Sequence, residues 1–231
     1  MKKSVRPAPR HPLTLYHANC LMERLHLDFL EPLPRTKAGN EYVLMIVDQF
    51  NKWVECLPLP SQTAEVNASA AVMEFFSRFG YLLQIFTDQG QNFESNLFKV
   101  VCESLNINKS RTTPNHPSSN GQVERYNRTL LNAVRCYLQG RRDRWDECVP
   151  FIATALRALV NRNTGFTLNR LMLGREVTTP LERMFSLPRA ATKGPLLDPY
   201  VSSLEQDLQQ AHCQARETLK VPRKKGKRIM N

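Results

Sequence analysis

The chain has 231 residues, and its 42% apolar content is sufficient for one sizeable hydrophobic core. No apolar segment approaches the roughly 18 residues of a transmembrane helix, and the basic start MKKSVRPAPRHPL lacks the apolar segment of a signal peptide, so neither membrane insertion nor export is expected. The six cysteines are scattered and no C-x-x-C is present, which predicts reduced thiols in an intracellular protein without disulfides or a zinc site.

The net charge of +11 is concentrated at the two ends of the chain. Residues 1–13 and 222–231 together carry nine basic side chains and no acid, so residues 14–221 have a net charge of only +2. We interpret these ends as flexible arms that favour a polyanion such as nucleic acid. A role in solubility or nuclear import is the alternative, and nuclear localisation is expected.

The first part of the chain predicts a small antiparallel unit. Residues 1–17 form the basic arm, and apolar segments at 24–30, 42–48 and 53–59 have the patterns of strands. Because short links join these strands, they are expected to form an antiparallel meander.

Helices and strands then alternate along the chain. In order, the predicted elements are a helix from Ser61 or Thr63 to Gly80, a strand at 81–88, a helix at 95–106 capped by Ser95, a strand over NKSRTT, a long helix at about 122–138 and a helix at 143–162. This order predicts an α/β layer fold with a mixed sheet. Residues 163–200 contain four prolines and are expected to be irregular, and residues 201–220 predict a polar helix that links or contacts a partner.

Three acidic residues are candidates for a functional site. Asp28 and Asp88 lie near the ends of apolar strand segments, where the loops of a fold usually build its site. Glu124 lies at the start of the long helix, directly after a loop rich in Pro, Ser and Asn. Asp88 and Glu124 are 36 positions apart, but Asp146 and Glu182 have the same separation, so the spacing alone does not identify a site.

Longer motifs around these acids carry a family resemblance. TDQGQNFES (87–95), followed by TTPNHPSSNGQVERYNRTL (112–130), closely resembles the integrases of retroviruses and gypsy-type long-terminal-repeat retrotransposons. ERLHLDFLEPLP (23–34) and IVDQFNKWVECLPL (46–59) fit the first strands of that catalytic core, and LMLGRE (171–176) resembles its trailing motif.

The resemblance implies an α/β, ribonuclease-H-like fold, with a mixed five-stranded sheet flanked by helices and a C-terminal helical extension. It divides the chain into a basic N-terminal arm (1–17), an integrase catalytic core (18–180), and a linker, polar helix and basic tail (181–231). The zinc-binding domain that usually precedes this core and the small β-rich domain that usually follows it are expected to be missing.

The same resemblance assigns Asp28, Asp88 and Glu124 as the catalytic residues and as the ligands of two Mg²⁺ or Mn²⁺ ions, with Asp28 bridging them. The chemistry agrees, because hard cations prefer oxygen ligands and two ions about 3.5–4 Å apart can stabilise the attacking and leaving oxygens of an in-line displacement. The implied activity is DNA 3′-end processing and strand transfer on double-stranded DNA by a homo-oligomer. Taken singly, Asp28 and Asp88 could be polar strand-end residues, and Glu124 could pair with Arg128.

Four residues around the start of the long helix are candidate DNA contacts. Asn120 and Gly121 belong to the polar loop, where a glycine allows backbone freedom. Arg125 and Arg128 follow on the helix, where arginines suit phosphate contacts, although a solvated charged face is the alternative. By contrast, Asp48 in VDQFNK is interpreted as a structural turn residue.

Two functions from different classes are consistent with the sequence. The first is a metal-dependent polynucleotidyl transferase and endonuclease of the integrase type, and the intact set of three acids favours it. The alternative is a catalytically silent, truncated or host-retained retrotransposon relic that binds DNA or protein, and the expected loss of flanking domains favours that reading. A true ribonuclease H is less favoured, because the motifs are those of integrases.

Overall fold

The computed structural model describes the backbone of residues 18–30, 32–88, 90, 93–111, 121–138, 142–185 and 199–220. Within its helices, the side chains of residues 121–124, 137–138, 142, 180–181 and 217–220 are not described. The predicted basic arms therefore lie outside the described residues.

One mixed sheet with the strand order β3-β2-β1-β4-β5 forms the centre of the fold. Its strands are β1 (Arg24–Leu30), β2 (Tyr42–Asp48), β3 (Val54–Leu59), β4 (Gln84–Thr87) and β5 (Asn108–Arg111). The predicted meander is confirmed, since β2 runs antiparallel to both β1 and β3. In contrast, β4 is parallel to β1 and β5 is parallel to β4.

Helices cover the sheet on both faces. They are α1 (Ala64–Ala70), α2 (Ser77–Phe79), α3 (Asn96–Ser104), α4 (Gly121–Leu138), α5 (Trp145–Ala158), α6 (Leu168–Leu173), α7 (Pro180–Phe185) and α8 (Pro199–Lys220). Successive residues of β2, from Val43 to Val47, are at most 1% exposed, so both faces of this strand are buried. None of the described helices combines the length and the apolar character needed to cross a membrane.

Local signals set the ends of the early helices as predicted. A π-helical segment (Ala71–Phe76) joins α1 to α2, so that a single helical stretch follows the N-cap Thr63 and ends at Gly80. Ser95 caps α3 by accepting a hydrogen bond from the backbone N–H of Phe98. These capping residues satisfy backbone donors that have no partner within the helix.

The prediction that α5 extends to residue 162 is wrong. The helix ends at Ala158, because Leu159 adopts an extended backbone and Val160 pairs with Thr167 in an isolated β-bridge. The backbone N–H of Asn161 also donates to Phe166 O at 2.9 Å. This pairing across a short loop overrides the helical pattern of the sequence.

The prediction that residues 163–200 are irregular is also wrong, because they contain two short helices with their own caps. Thr167 caps α6, which ends at Gly174 in the left-handed conformation. At α7, Thr179 and Glu182 bond reciprocally, since each backbone N–H donates to the other's side chain. These short-range signals stabilise two helices of six residues each.

The last helix, α8, packs against the core through its first turns. Val201 is fully buried and lies in a small cluster with Phe166 and Leu171. Arg170 Nε forms an ion pair of 2.7 Å with Glu205 Oε1. The polar helix predicted from the sequence is therefore attached to α6 by both apolar and charged contacts.

Candidate active site

Two of the three predicted acids lie side by side at one edge of the sheet. The parallel register of β1 and β4 ends with the pair Leu27 and Thr87, so the next residues are Asp28 on β1 and Asp88 directly after β4. Adjacent strands are about 4.8 Å apart, and the carboxyl ends of parallel strands meet at the same edge of a sheet. The fold thus brings together two acids that are far apart in sequence.

The carboxylate of Asp88 is oriented by the backbone that follows it. Its Oδ1 accepts a hydrogen bond of 2.9 Å from the backbone N–H of Gly90. A Cβ atom at Gly90 would lie only 2.9 Å from the same oxygen, so a side chain at this position would displace it. Glycine at this position therefore lets the Asp88 carboxylate keep its hydrogen-bonded orientation.

Asp28 is held from two sides. Its Oδ1 accepts the backbone N–H of Phe29 at 2.8 Å, and its Oδ2 accepts a hydrogen bond of 3.0 Å from Asn127 Nδ2. Asn127 lies on α4, three residues after Glu124, and residues with this spacing share one side of a helix. The first turn of α4, which carries Glu124, is therefore next to β1, although the Glu124 side chain lies outside the described residues.

Sequence reasoning missed Asn127. The available signal was its position one helical turn after the expected ligand Glu124. Its Oδ1 is buried and has no hydrogen-bond partner among the described residues. A buried acceptor is costly unless a donor or a cation binds it, so this oxygen beside Asp28 fits a site that receives a polar group or a metal ion.

The described donors suit a hard cation. Asp28 and Asp88 offer only oxygen atoms, which Mg²⁺ and Mn²⁺ prefer. Among the described side chains, no group of three His, Cys, Asp or Glu residues is close enough to hold a metal ion, and Glu124 is not one of those side chains. The described part of the site thus supplies two carboxylates.

The candidate DNA contacts are described only in part. Asn120 lies outside the described residues, and Gly121 is the first residue of α4, with only its backbone described. Arg125 and Arg128 are both exposed on α4. The two arginines are therefore accessible beside the turn that carries Glu124.

Asp48 has a structural role, which confirms the interpretation of VDQFNK. It is fully buried, and it accepts hydrogen bonds from the backbone N–H groups of Met22 at 2.8 Å, Phe50 at 2.6 Å and Asn51 at 3.3 Å. Burial raises the pKa of the Asp48 carboxyl, and these backbone donors oppose that effect. The carboxylate organises the β2–β3 turn.

The second Asp–Glu pair that is 36 positions apart, Asp146 and Glu182, does not form a common site. Asp146 Oδ2 accepts hydrogen bonds from Thr36 Oγ1 at 2.7 Å and from Asn40 Nδ2 at 2.8 Å, which ties α5 to the β1–β2 connection. Glu182 caps α7 together with Thr179. Each of the two acids therefore has its own structural role.

Glu94 anchors the segment that follows Asp88 to β5. It accepts a hydrogen bond from Lys109, and its Oε2 lies 3.4 Å from Arg111 Nη1 and 3.6 Å from Lys99 Nζ. The hydrogen bond from Lys109, helped by the other cations, holds the pKa of Glu94 below its ordinary value. This cluster fixes one side of the loop on which Asp88 lies.

Comparison with known proteins finds similar sequences. Residues 18–117 match the family model described as the integrase core domain. The chain is 24% identical over 205 residues to the retrovirus-related Pol polyprotein from transposon 412 of Drosophila melanogaster, covering 89% of this chain and 16% of that protein. It is 32% identical over 165 residues to the Gag-Pol polyprotein of avian reticuloendotheliosis virus, covering 71% of this chain and 13% of the polyprotein. The chain thus spans only a small part of these relatives.

Solved structures share the fold. A chain of the simian T-cell lymphotropic virus intasome, in complex with PP2A regulatory subunit B56 gamma, matches 84% of this chain and 65% of its own length, with a TM-score of 0.61 and 20% identity. The HTLV-2 integrase catalytic core domain in complex with magnesium matches 65% of this chain and 96% of its own length, with a TM-score of 0.53 and 24% identity.

The mixed five-stranded sheet with flanking helices is a ribonuclease-H-like fold, as the sequence predicted. The match over residues 18–117 identifies an integrase core domain in the chain. More narrowly, the chain carries the integrase catalytic core of retroviruses and retrotransposons.

Proposed function

We propose that this chain catalyses metal-dependent polynucleotidyl transfer on double-stranded DNA, with 3′-end processing and strand transfer as its two reactions. The single observation that carries the proposal is the placement of Asp28 beside Asp88 in register, with α4 joined to Asp28 through Asn127. This arrangement gathers three chain segments that each bring one acid, Asp28, Asp88 or Glu124.

Asp28, Asp88 and Glu124 would together hold two Mg²⁺ or Mn²⁺ ions, with Asp28 shared between them. When bound, such ions stabilise the charge on the attacking and leaving oxygens of a phosphoryl transfer. The oxygen-only donors support this assignment, as does the Oδ1 of Asn127, which has no hydrogen-bond partner among the described residues.

The chain's own residues position the reacting groups. The Gly90 N–H and the Asn127 amide fix the two carboxylates, so the site needs little reorganisation when DNA arrives. Arg125 and Arg128 would contact phosphates of the bound DNA, together with Asn120 and Gly121 at the start of α4. The nucleophile would be water in end processing and a DNA 3′-hydroxyl in strand transfer, with no covalent enzyme intermediate.

The partners follow from the same proposal. Double-stranded DNA would bind along α4 and the basic ends of the chain, which also favour a nuclear location. A homo-oligomer is supported by the similar structures, one of which is an intasome and another a trimeric form of a catalytic core.

A resolution assay on branched DNA tests the proposal. Such a substrate already holds a hydroxyl near the scissile phosphate, so part of the positioning is supplied in advance. With Mn²⁺ present, the unaltered chain should resolve the branch, the Glu124→Gln variant should be inactive, and Glu103→Gln on the exposed side of α3 should keep full activity.

A different result would favour the non-catalytic alternative. If the chain binds DNA and Mn²⁺ yet shows no Glu124-dependent cleavage or transfer, it acts as a DNA- or protein-binding relic.

A further inference from the structure

A groove of about 520 Å³ lies between α4 and the segment that follows α5. Arg125 and Thr129 of α4 form one wall, and residues 159–163 form the other. Asn127, which points to Asp28, does not line it, so the groove lies on a different side of α4 from the candidate active site.

The groove combines exposed apolar surface with uncompensated positive charge. Leu159 and Val160 are 62% and 51% exposed, although both are large aliphatic residues. Arg125 and Arg162 are exposed and have no ion pair with any described side chain. An occupant that brings both an apolar side chain and an acid would therefore complement the groove.

The wall formed by residues 159–163 is held in place before anything binds. Asn161 Nδ2 donates to the hydroxyl of Tyr126 at 3.3 Å, and Asn161 Oδ1 accepts the backbone N–H of Asn163 at 2.9 Å. The bridge between Val160 and Thr167 closes the same loop. A preformed groove loses little conformational entropy on binding.

We propose that this groove docks a short peptide segment of a partner protein, in which a Leu, Ile, Met or Phe side chain is flanked by Asp or Glu. The apolar side chain covers Leu159 and Val160, and an acid pairs with Arg162, while Arg125 stays available to the DNA phosphates. Nucleic acid fits less well, because its contacts are dominated by phosphates and would leave the aliphatic surface in water. This inference does not depend on the catalytic activity proposed above.

Selection from a phage-displayed library of random twelve-residue peptides tests the proposal, with the full chain as bait. The selected peptides should carry acids beside an aliphatic or aromatic residue, and fluorescence anisotropy should show at least a tenfold weaker affinity for the Arg162→Glu and Leu159→Ser variants. Arg183→Glu makes the same charge change on exposed α7, outside the groove, and should leave the affinity unchanged. Resolution of branched DNA should be the same in Arg162→Glu and the unaltered chain.

Three results would overturn the proposal. The selection could yield no peptide whose affinity depends on Arg162, or peptides without acids. Alternatively, Arg162→Glu could weaken binding of a DNA duplex while peptide binding stays the same, which would make the groove a nucleic-acid contact. Both altered side chains are exposed, so thermal unfolding should confirm that the variants fold. If Leu159→Ser fails to fold, the comparison of peptide affinity between Arg162→Glu and Arg183→Glu decides the outcome.

Discussion

Asn127 Nδ2 on α4 donates a hydrogen bond of 3.0 Å to Asp28 Oδ2 on β1, between residues 99 positions apart. This bond connects the helix that begins near Glu124 to the strand that carries the first predicted acid. It also leaves the second polar atom of Asn127, its Oδ1, buried beside Asp28 without a described partner.

The first prediction concerns this bond. Asn127→Ala should lower the rate of branched-DNA resolution by about tenfold or more, because Asp28 loses the group that orients it. The free energy of unfolding should change by only about 1 kcal/mol, since a single hydrogen bond is lost. Asn132→Ala, at an exposed position on the same helix, is the control in both the activity assay and urea denaturation. Equal rates for the two variants would show that Asn127 has no positioning role.

The second prediction concerns metal binding by Asp88. Asp88→Asn should weaken Mn²⁺ binding in calorimetric titration while the fold is kept, because an amide cannot supply the carboxylate charge that a hard cation needs. Asp207→Asn, at an exposed position on α8, should bind Mn²⁺ like the unaltered chain. Unchanged affinity in Asp88→Asn would remove this residue from the ligand set.

The third prediction concerns the structural role of Asp48. Asp48→Asn should reduce the free energy of unfolding by about 1–3 kcal/mol, because the amide cannot accept all the backbone N–H groups that the buried carboxylate now satisfies. Chemical denaturation measures this loss. A fully stable Asp48→Asn variant would contradict the structural role.

The fourth prediction concerns the pH dependence of stability. Because the pKa of Glu94 is lowered from 4.5 in the folded chain, ionised Glu94 stabilises the fold above that pH, and the contribution is lost as the pH falls through the lowered value. In urea denaturation, Glu94→Gln should therefore be less stable than the unaltered chain near pH 7, and this difference should shrink as the pH falls below 4.5 and through the lowered pKa. Glu103→Gln is the control. A difference in the free energy of unfolding between Glu94→Gln and the unaltered chain that does not depend on pH would contradict the assignment.

The fifth prediction concerns the basic ends of the chain. Removal of residues 1–13 and 222–231 deletes nine positive charges, so both the affinity for double-stranded DNA and its salt dependence should fall. Fluorescence anisotropy at several salt concentrations measures both. An unchanged salt slope would place the phosphate contacts on the core, with Arg125 and Arg128 as the next residues to substitute.

The sequence by itself determined the elements whose signals are local. The alternating and apolar segments of β1 to β3, the caps Thr63 and Ser95, and the long helix α4 all depend on residues within a few positions of one another. The family motifs also singled out the acids before their positions were known. Such short-range patterns can be recognised in the sequence without knowledge of the three-dimensional structure.

Only the tertiary structure decided how these pieces meet. The parallel pairing of β4 with β1 places Asp28 beside Asp88, and the packing of α4 on the sheet brings Asn127 to Asp28. The bridge from Val160 likewise ends α5 earlier than its sequence pattern predicts. The first two contacts join residues distant along the chain, and the free energy of all three depends on neighbours that no local pattern specifies.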